Sequence, residues 1–298
     1  MDLKPVLAAT LAALLCAPAL AQAPPAVAKP PTQREIWNAP TEPFHLIDNV
    51  YYVGTGGLAS YLFKTTDGLI VLDAALPESV PAIEAHLKQL GFKLSDVKII
   101  LNSHAHFDHS GGLAQLKKDT GAKLYAMEGD VSALEGGFYL GSETIAAMGA
   151  PKVKVDKVLR AGDEVKLGGV SLKANLTPGH TRGCTSYSTT VHDGGKPYNL
   201  LVFCSATVAA NRITPPLQYK GVIEDYRKTF AWGKTAKVDI FLAPHPEFFD
   251  MKGKRAKLKD GAPNPFIDPN EFPVFIAKAE ADFEKTLAER TAAAKPKP

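Results

Sequence analysis

The run Val97 to Leu101, V-K-I-I-L, leads straight into N-S-H-A-H-F-D-H-S-G-G, Asn102 to Gly112. A short apolar run of this kind predicts a strand buried inside a sheet. It delivers four metal-binding side chains, His104, His106, Asp108 and His109, within six positions. His104 and His106 are two apart, so an extended chain points both imidazoles to one side. Asp108 and His109 follow where the chain must turn, ahead of a helix that Ser110 or Gly111 opens. Burying such groups without partners costs several kcal/mol. Imidazole nitrogen and carboxylate oxygen are donors that zinc favours outside thiolate sites, and a catalytic zinc takes about three protein ligands. The segment therefore predicts a metal site that draws further ligands from elsewhere in the chain.

Other strand ends repeat the pattern. L-I-V-L ends at Asp73, S-L-K-A-N-L leads through T-P-G to His180, L-L-V-F-C ends at Ser205, and D-I-F-L-A-P ends at His245. Polar groups at the ends of neighbouring strands converge on one rim of a sheet, where α/β proteins place their sites. His180 and His245 are thus the candidates for the missing ligands. His45, His86 and His192 have no such setting and read as ordinary surface or helix residues.

Further short strands are expected at Val50–Val53, Ser60–Thr65 and Leu69–Leu72, with turn signals between them. Glu78 to Leu90 carries Val80, Ile83, Leu87 and Leu90 at helical spacing and stops at Gly91. Gly112–Lys118 reads as a helix and Lys123–Ala126 as a strand. After a glycine-rich region, Gly129 to Gly149, come strands near Val153–Leu159, Glu164–Leu167, Ser171–Leu176, Ser186–Thr190 and Leu200–Cys204. A helix at Ile223–Ala236, a strand at Asp239–Leu242 and a helix at Val274–Arg290 complete the order. Strands and helices alternate without strict βαβ regularity, which implies an α/β architecture of sheets covered by helices. Within Glu135–Ala150, glycines surround Phe138, Tyr139 and Leu140, which suits a mobile flap and a packed loop equally. The basic run Lys252–Lys259 reads as a solvated loop.

The chain has 298 residues, 45% of them hydrophobic, enough for one sizeable core or two small ones. A net charge of +3 and the lack of a dense basic run with aromatics argue against a nucleic-acid partner. Lys4, the apolar run Val6–Ala17 and the small residues of A-L-A-Q predict an export signal over 1–21, cut after Ala21. The apolar run is too short to span a membrane, and Leu15 is too large for lipid attachment at Cys16, so no membrane anchor is expected. The mature chain is expected to be periplasmic or secreted and monomeric. Residues 22–36 read as a flexible, proline- and alanine-rich lead-in, and 291–298 as a disordered tail. Two cysteines remain, Cys184 and Cys204, and in an oxidising compartment an even pair reads as a disulfide. The rival reading has Cys204 as a metal ligand.

H-x-H-x-D-H after a buried strand, then G-H-T at Gly179–Thr181 and P-H-P at Pro244–Pro246, resembles the metallo-β-lactamase superfamily. The resemblance runs from about Trp37 to Arg290. It implies one domain over 37–290, a four-layer αββα sandwich with metals at one edge of its two sheets. W-N-A-P-T-E-P-F (Trp37–Phe44), the metal motif and I-E-D-Y-R-K-T-F (Ile223–Phe230) resemble subclass B3 in particular. That subclass pattern implies His104, His106 and His180 around a first zinc, and Asp108, His109 and His245 around a second. It implies Ser205 where subclass B1 enzymes have a zinc-binding cysteine. Cys204, one residue earlier, points to the opposite face of a strand, and a Cys184–Cys204 disulfide is similar to a bridge in some subclass B3 members. Asp73 is implied as a residue that orients a ligand through hydrogen bonds, and Ser205 and Thr207 as contacts of the substrate carboxylate.

The implied activity is zinc-dependent hydrolysis of the β-lactam amide of penicillins, cephalosporins and carbapenems, conferring resistance. Zinc-activated water is the nucleophile, and Asp108 is both ligand and proton relay. Two alternatives stand beside it: an exported metal-dependent hydrolase of lactones or phosphoesters, and a zinc-binding protein without catalysis. The six filled ligand positions argue against the second. Glyoxalase-II-type thioesterases, lactonases and RNA-processing nucleases usually carry a bridging aspartate near F-C-S-A-T, which has none. Ser95-Asp-Val-Lys98 fits the S-x-x-K of serine β-lactamases, but it approaches a strand and lacks K-T-G or S-D-N.

Overall fold

Two sheets lie between layers of helices, and every strand end that the sequence singles out reaches the same edge. The computed structural model describes Met1 and residues 30–294. Beyond Met1, the expected export signal, its cleavage point and Cys16 lie outside the described residues, as do 22–29 and 295–298. The elements below belong to the compact unit that starts at Gln33.

In chain order these are α1 (Gln33–Trp37), β1 (Phe44–Ile47), β2 (Val50–Tyr52), β3 (Tyr61–Thr65), β4 (Gly68–Leu72), α2 (Val80–Gln89) and β5 (Val97–Leu101). Next come α3 (Phe107–Ser110), α4 (Leu113–Thr120), β6 (Lys123–Met127), α5 (Glu128–Gly136) and β7 (Lys157–Leu159). The second half holds β8 (Glu164–Leu167), β9 (Val170–Leu176), β10 (Thr185–Asp193), β11 (Lys196–Val202), α6 (Val222–Gly233), β12 (Ile240–Leu242), α7 (Met251–Lys257) and α8 (Glu271–Ala293). β1 to β7 form one sheet in chain order, antiparallel up to β4 and parallel from β4 to β7. The other runs β12-β11-β10-β9-β8, antiparallel except for the parallel pair β11–β12.

The apolar runs of β4 and β5 follow from burial on both faces. Ile70, Leu72, Ile99 and Leu101 join Leu172, Ala174, Tyr187 and Val202 of the second sheet in one core. Leu69, Val71, Val97 and Ile100 face the other way, against Ile83 and Leu87 of α2 and Leu113 and Leu116 of α4. Alternation would have left one of these faces in water. Beyond the second sheet, Tyr226 and Phe230 of α6 and Phe272 and Phe283 of α8 close the inter-sheet core from outside. Among the described residues, no helix is long and apolar enough to cross a membrane.

Several local expectations need correction. The glycine-rich region from Gly129 contains α5, which has Glu128 and Asp130 in its first turn and Gly137 at φ 70° as its stop. Acidic residues at the start and a left-handed glycine at the end are the signals of a complete short helix. The basic run Lys252–Lys259 is largely the helix α7, opened by the Asp250 carboxylate, which accepts from Gly253 N. Its Lys254 pairs with Glu271, and its Arg255 guanidinium lies 4.9 Å from the centre of the Phe44 ring. The end of the expected flexible lead-in, 33–36, is helical as part of Gln33–Trp37, held where Arg34 makes two 2.8 Å hydrogen bonds to Glu78. α8 starts three residues early because Pro273, in a first turn, has no hydrogen bond to lose. It also runs on to Ala293, into the expected tail.

Candidate metal centre

At the end of β5 the chain stays extended through His106 and then coils into α3. Asp108 and His109 therefore sit inside a helical turn, not ahead of one. Two glycines allow this turn to pack against the segment after β4. A Cβ on Gly112 would lie 2.2 Å from the Ala74 carbonyl oxygen, and one on Gly111 2.4 Å from that of Phe107. Neither position has room for a side chain.

All six candidate ligands meet at this edge. Donor atoms of His104, His106 and His180 lie within 4.8 Å of one another. His109 Nε2 is 3.1 Å from His245 Nε2. Asp108 Oδ2 lies 3.3 Å from the first of these nitrogens and 3.4 Å from the second. The His104 and His109 rings are 4.4 Å apart, so the two trios adjoin. Five of the six residues are buried, and His245 is half-buried.

Hydrogen bonds settle which nitrogens of His104 and His180 carry lone pairs. Asp73 Oδ2 accepts from Ser103 Oγ at 2.6 Å, so Ser103 Oγ is free to accept from His104 Nδ1 at 2.9 Å. The Thr207 carbonyl accepts from His180 Nδ1 at 2.7 Å. Both Nδ1 atoms are then N–H donors, and both Nε2 atoms are bare. Those two Nε2 atoms face each other at 3.2 Å. Facing lone pairs repel unless a cation sits between them, so the donor set fits a divalent metal. Burial, first of all, holds His104 and His106 well below the usual imidazole range and brings His180 down to about 4. The trio is neutral and ready to ligate.

The second trio carries charge. Burial opposes ionisation of Asp108, but His109 beside it and hydrogen bonds from His109 and His245 overcome burial and hold it well below the usual carboxylate range. Burial alone would lower His109, yet Asp108 reverses the sign and raises it. A metal binding here displaces a proton and takes over as counter-ion.

The remaining expected residues arrive as follows. Asp73, at φ 63°, also accepts from Asn102 Nδ2 at 3.0 Å and Ser103 N at 2.7 Å, and reaches His104 through the Ser103 hydroxyl. Ser205 Oγ lies 3.3 Å from Thr207 Oγ1, which is 3.2 Å from His180 Nδ1. Cys184 and Cys204 are joined in a disulfide, so neither sulfur is a metal ligand in this chain. The stretch 138–142 is packed: Tyr139 is buried and stacks on the His106 ring at 4.4 Å. Gln218 Nε2 donates to the Leu140 carbonyl at 2.6 Å, and Arg212 Nη2 to that of Gly141 at 2.6 Å. Beside Thr207 and Phe248, a groove of about 390 Å³ runs along α8, lined also by Val208, Glu247 and Phe275.

Two site residues escape a reading of the sequence. Asp130, buried in the first turn of α5, accepts from Ala105 N at 2.9 Å, Thr181 Oγ1 at 2.7 Å and Gly183 N at 2.7 Å. One carboxylate thereby ties the residue between His104 and His106 to the residues after His180. Burial pushes its pKa up to about 6. Asn211 donates to the His180 carbonyl at 2.8 Å and accepts from Tyr139 Oη at 2.7 Å. Its signal in the sequence is one more polar residue in a loop.

A family model described as the metallo-beta-lactamase superfamily matches residues 53–193. Among solved structures, the subclass B3 metallo-beta-lactamase BJP-1 of Bradyrhizobium japonicum is similar at 50% identity and TM-score 0.87, over 89% of this chain and 100% of that one. The FEZ-1 metallo-beta-lactamase of Legionella gormanii is similar at 39% identity and TM-score 0.81, over 85% of this chain and 98% of that one. Among curated proteins, the hydroxyacylglutathione hydrolase of Rhodospirillum rubrum is 30% identical over 42% of this chain, a match that spans only 39% of that protein. A metal-dependent hydrolase of Anaeromyxobacter dehalogenans is 30% identical over 75% of each. The fold, the ligand geometry and these likenesses agree: the chain belongs to the metallo-β-lactamase superfamily of metal-dependent hydrolases.

Proposed function

We propose that this chain is an exported two-zinc β-lactamase of the subclass B3 kind, hydrolysing the amide of penicillins, cephalosporins and carbapenems. The observation that carries it is the pair of adjoining trios, in the first of which the bare Nε2 atoms of His104 and His180 face each other and have no use without a cation. His104, His106 and His180 hold the first zinc; Asp108, His109 and His245 hold the second. Zinc bound there supplies Lewis acidity for the amide carbonyl and makes water a nucleophile near neutral pH.

The chain's own groups do the rest. The Asp108 carboxylate, through the oxygen not turned to His109 and His245, takes the proton that the attacking water sheds and returns it to the amide nitrogen as the C–N bond breaks. Ser205 Oγ and Thr207 Oγ1 bind the substrate carboxylate, and the groove beside Phe248 and Phe275 accepts apolar substituents. Trp37, with its ring 6.1 Å from that of His245, keeps bulk water off the second trio. The disulfide supports an oxidising compartment. A monomer acting on a small molecule needs no other partner.

The test is hydrolysis of one penicillin, one cephalosporin and one carbapenem by the purified mature chain, before chelation, after it, and after zinc is returned. Activity that disappears and comes back is the expected result. A zinc-loaded chain that turns over lactones, thioesters or phosphoesters but no β-lactam would move the assignment to another hydrolase of this fold. The short match to hydroxyacylglutathione hydrolases is the observation that keeps such substrates in the panel.

A further inference from the structure

The bridge between Cys184 and Cys204 lies directly behind the first trio. A ring nitrogen of His104 and the two sulfurs lie within 4.8 Å of one another, and all three residues are buried. Cys204 Sγ is 3.3 Å from the Ser103 carbonyl oxygen, and Cys184 Sγ is 3.7 Å from that of Ser205. The sulfurs therefore sit between Ser103, the residue before His104, and Ser205.

In the oxidised chain these sulfurs offer a metal nothing, because a disulfide sulfur carries no charge. Reduction changes the donor set, and once the S–S bond is broken the two sulfurs can separate by side-chain rotation about anchored backbones. Cys184 stays in place because its carbonyl accepts from Thr177 N at 2.9 Å. Cys204 stays because its N–H donates to Ser186 Oγ at 2.9 Å. Two thiolates and one imidazole form a Cys2His set, and soft thiolates draw zinc and cobalt more strongly than imidazole alone.

We propose that, once the bridge is reduced, His104, Cys184 and Cys204 form a second-choice metal site that captures a divalent transition ion at the expense of the first histidine trio. The reductant is a dithiol or a trialkylphosphine. Two electrons and two protons break the S–S bond and form two thiols, while a dithiol closes to its own disulfide or a trialkylphosphine becomes its oxide, with water supplying the oxygen and both protons. Each thiol loses its proton to solvent as the metal binds. A neutral imidazole has one bare nitrogen, so His104 cannot ligate in both sites at once, and capture dismantles the first trio. The bridge thus protects the hydrolytic site from its own neighbours, and a reducing compartment yields a folded chain with its metal in the wrong place. The inference reaches beyond the hydrolase reading, and cobalt absorption tests it without any substrate.

The experiment uses the full mature chain, metal-free, oxidised or reduced with a trialkylphosphine, and titrated with cobalt(II). The expected result is intense sulfur-to-cobalt charge-transfer absorption in the near ultraviolet, in the reduced chain only. Circular dichroism should show an unchanged fold. The double variant Cys184→Ser/Cys204→Ser shows no such band under either condition. In the reduced chain, His104→Ala weakens the sulfur-bound cobalt by at least about tenfold. A reduced, folded chain that binds cobalt with only weak visible bands overturns the proposal. So does a chain that unfolds on reduction, and a His104→Ala chain of unchanged affinity removes the histidine from the site.

Discussion

The two trios differ in how they are held. Around the first, each ring has a brace: Ser103 and Asp73 behind His104, Tyr139 stacked on His106, and the Thr207 carbonyl on His180. Asp130 ties the two ligand-bearing segments together. Around the second, Nδ1 of His109 and Nδ1 of His245 are buried with no hydrogen-bond partner among the described residues. The first trio is neutral and preorganised, whereas the second contains the one carboxylate of the six candidate ligands, and its rings have no hydrogen bond behind them, only the Trp37 and Phe248 rings beside His245. Metal affinity in such sites depends on the atoms behind the ligands as well as on the ligands, so the first should fill more readily and the second should supply the charge chemistry.

The strongest way to break this contrast is Asp108→Ala. It should empty the second trio, leave one zinc per chain in the first, and lower kcat by about 10²- to 10⁴-fold, the range of a lost acid–base group. Metal analysis with steady-state kinetics checks it, and carbapenem turnover at the wild-type rate would sink the two-metal assignment. Next comes Asp130→Asn, which leaves every ligand in place. Affinity for the first zinc should fall by about 10- to 100-fold and that for the second should hold, as read by competition with a chromophoric chelator. Equal losses at both would show that Asp130 supports the fold rather than one trio.

Removing the bridge with Cys184→Ser/Cys204→Ser addresses stability alone. The cysteines are 20 residues apart, and closing a loop of that size is worth about 3 kcal/mol in the chain-entropy account. Urea unfolding of the double variant checks that figure. The smallest effect concerns pH. Asp130 rises from 3.8 to about 6 on folding, so the folded, metal-free chain binds more protons than the unfolded chain between those values. The stability this residue contributes is therefore complete below about pH 4 and fades as the pH climbs through 6. The stability difference between wild type and Asp130→Asn should shrink across that interval, and a difference that widens would reverse the assignment.

The parts legible in the sequence share one property: their partners are close by or follow a strand. His104, His106, Asp108 and His109 occupy a single window, and His180, His245 and Asp73 each end an apolar run. The sheet strands were legible for the same reason, since burial on both faces leaves unbroken apolar stretches. Asp130 and Asn211 act over long separations, and nothing near them in the chain distinguishes them from any first-turn acid or loop amide. The helices α5 and α7 are too short to display a period, and glycines in one and lysines in the other imitate loops. Tyr139 reads equally as part of a flap and as filling, and only the His106 ring beneath it, distant in the chain, decides between them.

The site also sits on a seam. His104 leaves the first sheet at β5, whereas His180 follows β9 and His245 follows β12 in the second. Along the same rim, Thr185 N donates to the Ser103 carbonyl at 2.8 Å, Tyr61 Oη to that of Ala243 at 2.6 Å, and Ala59 N to that of Pro244 at 2.7 Å. An ion held by ligands from both sheets acts as a rivet through that seam, so prising the halves apart means releasing it. Free zinc at about a thousand times its dissociation constant would add about 4 kcal/mol against unfolding. With zinc as that ion, the melting temperature of the chain would become a gauge of how much zinc its surroundings hold.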